Sequence, residues 1–530
     1  MREHYVMAIF YTTIFVALSF VYAKHALHMF QQQRYELKRY NKWLFNSNNI
    51  HSSNVFFYFA VELLFFLLYK FIFKESLFIL LTSLLFTIGF TIYVVYKETK
   101  KNYIKDLVVT KRVTRQIIVY TILLVLAVFF FLLLLEPYFF AGIFSVYAPY
   151  LLIYPMHIIT YPIEELIKKM YETDARRILS ELPHLKKIGV TGSYGKTSTK
   201  NIINDIISNN FFTQITPASY NTPMGITRTI REHLRSIHEV FVCEMGADKV
   251  GDISYLMKFV KPQFGVVTSV GPQHLATFKS MDNIIKEKMQ EIEMLPEDGV
   301  GFLNADNEYI NKYVVKNTCK IIRVGIDNVN ADYVATNIKY TNKGSTFNVK
   351  LDGNTYYFET GLLGKHNITN ILIGIAIGKE LGISNDDIVK NVKNVKQVEH
   401  RLQVKKIHNI TFIDDAFNCN PVGSKMAVDV LSSMNGKRII ITPGMIDLGP
   451  SQDEYNFDFG KYMVGKVDFV LLVGEKQTKS IAHGLKKAGF DMEKVRIFKD
   501  VRDAIHYAHT RFTSEDTVLL ENDLPDAFNV

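Results

Sequence analysis

Val190-Thr191-Gly192-Ser193-Tyr194-Gly195-Lys196-Thr197-Ser198-Thr199 is the stretch on which the reading of this chain turns. It follows the short apolar run Lys187-Ile188-Gly189-Val190 and opens into a helical-looking segment from Lys200 to Ser208. A strand, a glycine turn and a helix start are the context that a phosphate-binding loop requires. The glycines let backbone N–H groups crowd around phosphate oxygens, and the helix N-terminus adds partial positive charge. In this loop Gly192, Ser193, Tyr194, Gly195 and Ser198 form the cradle. Lys196 is spaced to reach the terminal phosphates of a nucleotide, and the Thr197 hydroxyl to ligate Mg²⁺. The spacing Gly-x-x-Gly-Lys-Thr is shorter than the common form of such loops.

Downstream, apolar runs at Glu239–Cys243, Phe264–Ser269, Val300–Leu303 and Lys320–Val324 have the continuous character of buried parallel strands. Helical stretches near Ile253–Phe259 and Asn283–Met294 lie between them, so a doubly wound α/β domain is expected. Tyr333–Leu362 alternates, with turns at Asn342-Lys343-Gly344 and Asp352-Gly353-Asn354, and reads as antiparallel hairpins beside the main sheet. After Arg401, strands at Thr411–Ile413, Arg438–Thr442, Phe469–Val473, Val495–Phe498 and Thr517–Leu520 predict a smaller Rossmann-like domain. Glu244 and His274 fall at strand ends beside the loop, and Lys288 on the next helix. Carboxylate and imidazole can both hold a divalent ion, and Mg²⁺ favours the carboxylate.

The first third differs from the rest. The 530 residues are 48% hydrophobic and 13% aromatic, with Phe, Leu, Tyr and Ile concentrated at the start. Five apolar stretches, Val6–Ala23, Val55–Phe73, Leu77–Tyr96, Ile117–Leu135 and Tyr138–Tyr154, have the roughly 17 to 25 residues of a membrane span. Much of the net charge of +9 sits beside them: Lys24, Arg34, Lys38, Arg39 and Lys42, then Lys97 through Arg115. The positive-inside rule then predicts an N-terminus outside and a catalytic part in the cytoplasm. The expected fold class is thus an N-terminal α-helical transmembrane bundle, a P-loop α/β ATPase domain and the Rossmann-like domain. Their expected ranges are 1–160, 186–400 and 401–530, with a charged connector over 161–185. Glu62 is a carboxylate inside the second stretch, either functional or paired with a neighbouring helix. Cys243, Cys319 and Cys419 have no paired spacing, which argues against a disulfide frame or a zinc site. Basic runs that hug apolar stretches argue against nucleic acid as a partner.

Motif order sharpens the picture. Thr191-Gly-Ser-Tyr-Gly-Lys-Thr-Ser-Thr199, Glu244-Met-Gly-Ala247, Gly271-Pro-Gln-His274 and Leu303-Asn304-Ala305-Asp306-Asn307 follow one another, then Gly364-Lys-His366-Asn367-Ile-Thr-Asn370, Glu399-His-Arg401 and Ile413-Asp414-Asp415-Ala-Phe-Asn418-Cys-Asn420-Pro421. This series resembles the Mur ligase family, the ATP-dependent amide ligases of cell-wall peptide synthesis, and within it the type that adds a dipeptide to a muramyl tripeptide. The resemblance implies ATP and two Mg²⁺ ions as cofactors. It implies phosphate and metal roles for Lys196 and Thr197, metal roles for Glu244 and His274, and a carbamylated, metal-ligating Lys288. It further implies an adenine contact for Asn304, a phosphate contact for Arg401, a ribose contact for Asp415 and hinge-side positions for His366 and Asn370. The implied reaction phosphorylates a carboxylate and lets the amine of an amino acid or dipeptide capture the acyl phosphate.

Three departures from the family stand out. Thr442-Pro-Gly-Met-Ile-Asp-Leu-Gly449 replaces a Gly-Asp-Met-rich turn, and Gln290 replaces a glutamate. The domain that holds a nucleotide-sugar substrate has its place taken by the apolar third. From this a membrane-bound carboxylate acceptor, with the lipid bilayer as partner, is expected. Competing readings are a poly-γ-glutamate or capsule synthase and a membrane P-loop ATPase that makes no bond.

Overall fold

A computed structural model describes residues 16, 19–20, 22–45, 53–72, 76–99, 107–134, 148–218, 220–273, 275–341, 344–397, 400–407, 410–416, 420–446, 448 and 451–522. His274, Glu399, Asn418, Cys419 and Asp447 lie outside them, as do most of Val6–Ala23 and residues 135–147 of the last two apolar stretches. The chain divides into two compact units, Met1–Met170 and Tyr171–Val530.

In the first unit, Ala26, Phe30, Tyr40, Tyr120, Leu124 and Ile153 close a small core of their own. The helices Ser53–Leu67 and Leu77–Thr99 meet through Tyr58 stacked on Phe90, 4.3 Å between ring centroids. Glu62 is buried there and accepts from Ser83 Oγ at 3.1 Å and Thr87 Oγ1 at 2.8 Å, the paired arrangement of the two readings above. Among the described residues no helix is long and apolar enough to cross a membrane, which overturns the expected transmembrane bundle. The second apolar stretch is divided. Ser53–Leu67 ends after 15 residues in a π-helical turn, Leu68–Ile72, and Lys111–Leu134 opens on cations, of which Arg115 pairs with Glu164 at 2.7 Å. The end of the fifth stretch opens the helix Ile153–Ser180, which carries Glu164, Glu165, Lys168 and Lys169. The multi-pass membrane localisation expected for the chain falls with the bundle. A membrane-bound acceptor and a bilayer partner rested on the same bundle and lose their support.

The second unit holds two sheets. Strands β1 (Lys186–Thr191), β2 (Thr213–Ile215), β3 (Val240–Glu244), β4 (Phe264–Val267), β5 (Val300–Asn304), β6 (Lys320–Gly325), β7 (Tyr333–Thr341), β8 (Gly344–Leu351) and β9 (Asn354–Thr360) form one sheet in the order β2-β3-β1-β4-β5-β6-β7-β8-β9. From β2 to β7 neighbours are parallel, and β7, β8 and β9 are antiparallel. The hairpins of Tyr333–Leu362 therefore extend the main sheet, through Val324 opposite Tyr333, rather than lying beside it. Helices cover both faces, so every residue of β3 and β4 is buried and the runs read as continuously apolar. One face packs on helices Lys196–Ile207, Lys365–Glu380 and Asn385–Lys393, the other on Asp252–Val260 and Met281–Glu293.

The second sheet contains β10 (Gln403–Ile407), β11 (Ile410–Asp415), β12 (Arg438–Thr442), β13 (Phe469–Val473), β14 (Val495–Phe498) and β15 (Thr517–Glu521), in the order β10-β11-β15-β12-β13-β14. Only β10 is antiparallel to its neighbour. In both sheets the chain reverses its direction of travel near the middle, where α/β sheets bind ligands at the C-terminal strand ends.

Candidate active site

The loop after β1 is held open by its neighbours. Gly192 has φ 149°, and a Cβ there would stand 2.1 Å from Thr268 Oγ1; Gly195, at φ 82°, caps the helix Lys196–Ile207 in the left-handed region. Both positions need glycine. The turn after β4 braces the loop: Ser193 N donates to Ser269 O at 2.7 Å, Tyr194 N to Ser269 Oγ at 2.9 Å, and Gly271 N to Ser193 Oγ at 3.0 Å. Lys196 curls back, with Nζ donating to Gly192 O at 2.7 Å and Ser193 O at 3.2 Å. Burial pushes the Lys196 amine down to about 8, against the pull of Glu244.

Glu244, at the buried end of β3, accepts from Asn221 Nδ2 at 2.9 Å and from Lys200 Nζ at 3.1 Å. Lys200 also donates to Thr216 O at 2.7 Å and Ala218 O at 2.6 Å, so one buried ammonium ties the loop after β2 to the carboxylate. Lys288 is 2% exposed on the helix Met281–Glu293. Burial and then the Lys196 charge press its amine down to about 7, against Glu287, Asp248 and Asp252. Glu287 accepts from Gly251 N and Ile253 N and so fixes the start of the helix Asp252–Val260.

The second sheet supplies Arg401 and Asp415. Arg401 is close enough to Lys196 and His366 to depress both, and is itself attracted by Asp415 and Glu244. Burial raises the Asp415 carboxyl even against Arg401. Burial lowers the His366 imidazole to about 4, so it is neutral at pH 7. His366 Nδ1 and Asn370 Nδ2 are buried and have no hydrogen-bond partner, and Asn370 Oδ1 lies 3.8 Å from where a Cβ on Gly195 would stand. Buried polar atoms left unpaired at a phosphate loop are the mark of groups that meet a ligand. Asn304, by contrast, is engaged: its Nδ2 donates to Thr268 O and its Oδ1 accepts from Asp306 N, each at 3.0 Å.

The structure thus groups Lys196, Glu244, Lys288, His366, Asn370, Arg401 and Asp415 around one loop, with Asn304 at the end of β5. Sequence reasoning missed Lys200, Asn221, Asp248 and Glu291. A signal existed for Lys200, one turn from Lys196 on the same helix face. A signal also existed for Glu291, which falls on the apolar stripe of Ile284 and Lys288. Glu291 is fully buried, neither oxygen has a partner, and a Cβ on Gly189 would stand 1.9 Å from its Oε1. Burial pushes its carboxyl up to about 8, with Lys288 opposing. A carboxyl raised from 4.5 favours folding at acid pH and loses that contribution as pH climbs through 8. Glu291→Gln is therefore expected to flatten the fall in thermal stability between about pH 5 and pH 9, a gain on the order of a few kcal/mol at the alkaline end. An unchanged melting profile would contradict it.

Comparison with known proteins agrees with this architecture. The chain matches the Mur ligase middle domain over residues 190–378 and the family described as "Mur ligase, glutamate ligase domain" over residues 400–521. A Bacillus subtilis protein named UDP-N-acetylmuramoyl-tripeptide--D-alanyl-D-alanine ligase is 28% identical over 352 residues, which is 66% of this chain and 75% of that protein. The Escherichia coli protein of the same name is 30% identical over 298 residues, 56% of this chain and 66% of that protein. The crystal structure of MurF ligase from Thermotoga maritima in complex with ADP superposes with a TM-score of 0.61 at 23% identity, covering 68% of this chain and 81% of that one. MurF from Acinetobacter baumannii gives 0.60 at 24% identity, covering 67% and 77%. A phosphate loop at the switch point of one α/β sheet, with a cation supplied from the start of a second, is the frame these relatives share as ATP-dependent ligases. The chain belongs to the Mur ligase family.

Proposed function

We propose that this protein uses ATP to phosphorylate a peptide carboxylate and then joins that carboxyl carbon to the amine of a short peptide of the D-alanyl-D-alanine kind. The observation that carries this reading is the meeting of Lys196, from the phosphate loop, with Arg401, from the second sheet, over Glu244. Two cations facing one loop suit the charge that spreads over a transferring phosphoryl group, where catalysis is mainly positioning and neutralisation. The Asn370 amide and the neutral His366 ring offer further polar contacts without adding charge.

For Mg²⁺, the Thr197 hydroxyl and the Glu244 carboxylate are oxygen donors of the right chemistry. When bound, the ion neutralises phosphate charge. Burial leaves much of Lys288 as free amine near neutral pH, the form that adds CO₂ to give an anionic carbamate. Asp415 and Asn304 are the candidate contacts for the nucleoside. The relatives' names, their dipeptide amine and the ADP bound in the Thermotoga structure support this assignment by kinship.

Purified full-length protein given ATP, a UDP-muramyl tripeptide and D-alanyl-D-alanine tests it. Release of ADP and phosphate that requires both acid and amine, with the mass of the joined peptide, is the expected result. ATP hydrolysis indifferent to both would favour an ATPase that makes no bond.

A further inference from the structure

Arg401 reaches the phosphate loop from a segment whose backbone is strained on both sides. His400 has φ 57° and Leu402 has φ 48°, left-handed values that side chains other than glycine, Asn and Asp seldom adopt. Such strain persists only where the surroundings over-determine it. The surroundings here do so from the tandem acids of β11. His400 Nδ1 donates to Asp414 Oδ2 at 2.9 Å, and Asp414 is 8% exposed and held in turn by Lys405 Nζ at 2.7 Å and Ala416 N at 3.3 Å. Leu402 N donates to Asp415 Oδ1 at 3.1 Å. The buried Leu402 side chain packs toward Gly364, where an added Cβ would stand 3.1 Å from its Cδ1. Just beyond, Gln397 bridges the two sheets, accepting from Val404 N and donating to Gly361 O, each at 3.0 Å.

Arg401 needs such restraint. It stands close enough to Lys196 to lower that amine, in a poorly solvated site. Like charges repel, and a segment running between two sheets is the part of a chain best able to yield to that repulsion. A residue fixed at both flanks by hydrogen bonds to one strand has little freedom to turn away.

We propose that His400 and Asp414, with the Asp415 carboxylate on the other flank, form a clamp that positions Arg401 over the phosphate loop. The clamp rests on the ligase reading for what Arg401 meets, and on hinge geometry for its existence. His400 and Asp414 are positioning residues: neither reaches the loop, and both act through the arginine between His400 and Leu402.

The test separates hydrogen bond, backbone and fold. Asparagine accepts the left-handed conformation and its amide can reproduce the Nδ1–H donor, so His400→Asn should keep kcat within about threefold of the parent. His400→Ala loses the donor, and His400→Val adds steric conflict as well. Both should lower kcat by roughly 10- to 100-fold, valine the more, with KM for ATP within about threefold because the loop still binds the phosphates. Asp414→Asn should fall with His400→Ala, and its Leu402 amide should exchange hydrogen faster. Wild-type kcat in His400→Ala would overturn the clamp, as would equal losses in asparagine and alanine, or a rise in KM matching the fall in kcat. His400 is half exposed, so its variants remain folded tests if Asp414→Asn does not fold. If the parent protein makes no amide bond at all, the ligase reading fails, and Leu402 exchange in His400→Ala against His400→Asn still judges the clamp. Equal exchange in the two would sink it.

Discussion

Lys196→Ala is expected to cut amide-bond formation by about a thousandfold, or about 4 kcal/mol of transition-state stabilisation. The ammonium lies on the glycine turn, donating to the carbonyls of Gly192 and Ser193. A triphosphate offers it stronger, charged acceptors, so the lysine exchanges loop oxygens for phosphate oxygens. Alanine removes one of the cations that neutralise the reacting phosphate. Initial rates of ADP release in the presence of acid and amine measure the loss, and a variant within tenfold of the parent would refute the role. The depressed amine adds a pH dependence with a definite sign. Near pH 8 the free protein holds Lys196 partly neutral, while bound phosphate favours the ammonium. Nucleotide binding should therefore take up a proton above about pH 8, and affinity should weaken as pH rises further. Calorimetry in two buffers of different ionisation enthalpy reads the uptake directly.

Lys200→Met should leave a different signature, a loss of stability of about 3–5 kcal/mol. Lys200 lies one turn further along the same helix and is 1% exposed. Removing it strips a buried donor from Thr216 O, Ala218 O and Glu244 Oε2 together. The cost comes from the carboxylate left charged and uncompensated in a dry interior, more than from the lost attraction. Adding Glu244→Gln to Lys200→Met should then recover part of the stability while abolishing ligation. Equal melting temperatures for parent and Lys200→Met would show that the pair contributes nothing. One helix face thus carries two lysines, one aimed at a ligand and the other at the fold.

The parallel strands of both sheets were legible because burial on two faces leaves a run such as Val240-Phe241-Val242-Cys243 with no polar interruption. Edges were not. β2 has three half-buried residues, and β10, Gln403-Val-Lys-Lys-Ile, mixes charge with apolar groups as an edge strand does. The first third misled because apolar content was read as span length. Helix ends, the π-helical turn at Leu68–Ile72 and the charged pairing of Arg115 with Glu164 depend on tertiary neighbours. At the site, the glycine loop, Glu244, Lys288 and Arg401 were marked by motif order. Lys200 and Glu291 lie on helix faces that the sequence marks, but the burial of their charges is decided by partners far along the chain, or by their lack. The left-handed turns at His400 and Leu402 carry no glycine to announce them.

The place of β15 has a consequence for how the enzyme is born. This strand, Thr517–Glu521, lies in the middle of its sheet, between Thr411–Asp415 on one side and Arg438–Ile441 on the other. A ribosome delivers it after every other strand described here, so β11 waits without its inner neighbour while more than a hundred residues emerge. Until then Asp414 and Asp415 have no settled strand to stand on, and a chain still being synthesised cannot present Arg401. Until β15 slides home the nascent protein therefore lacks the support that places Arg401, and it exposes an unpaired β edge to chaperones or to aggregation for that interval.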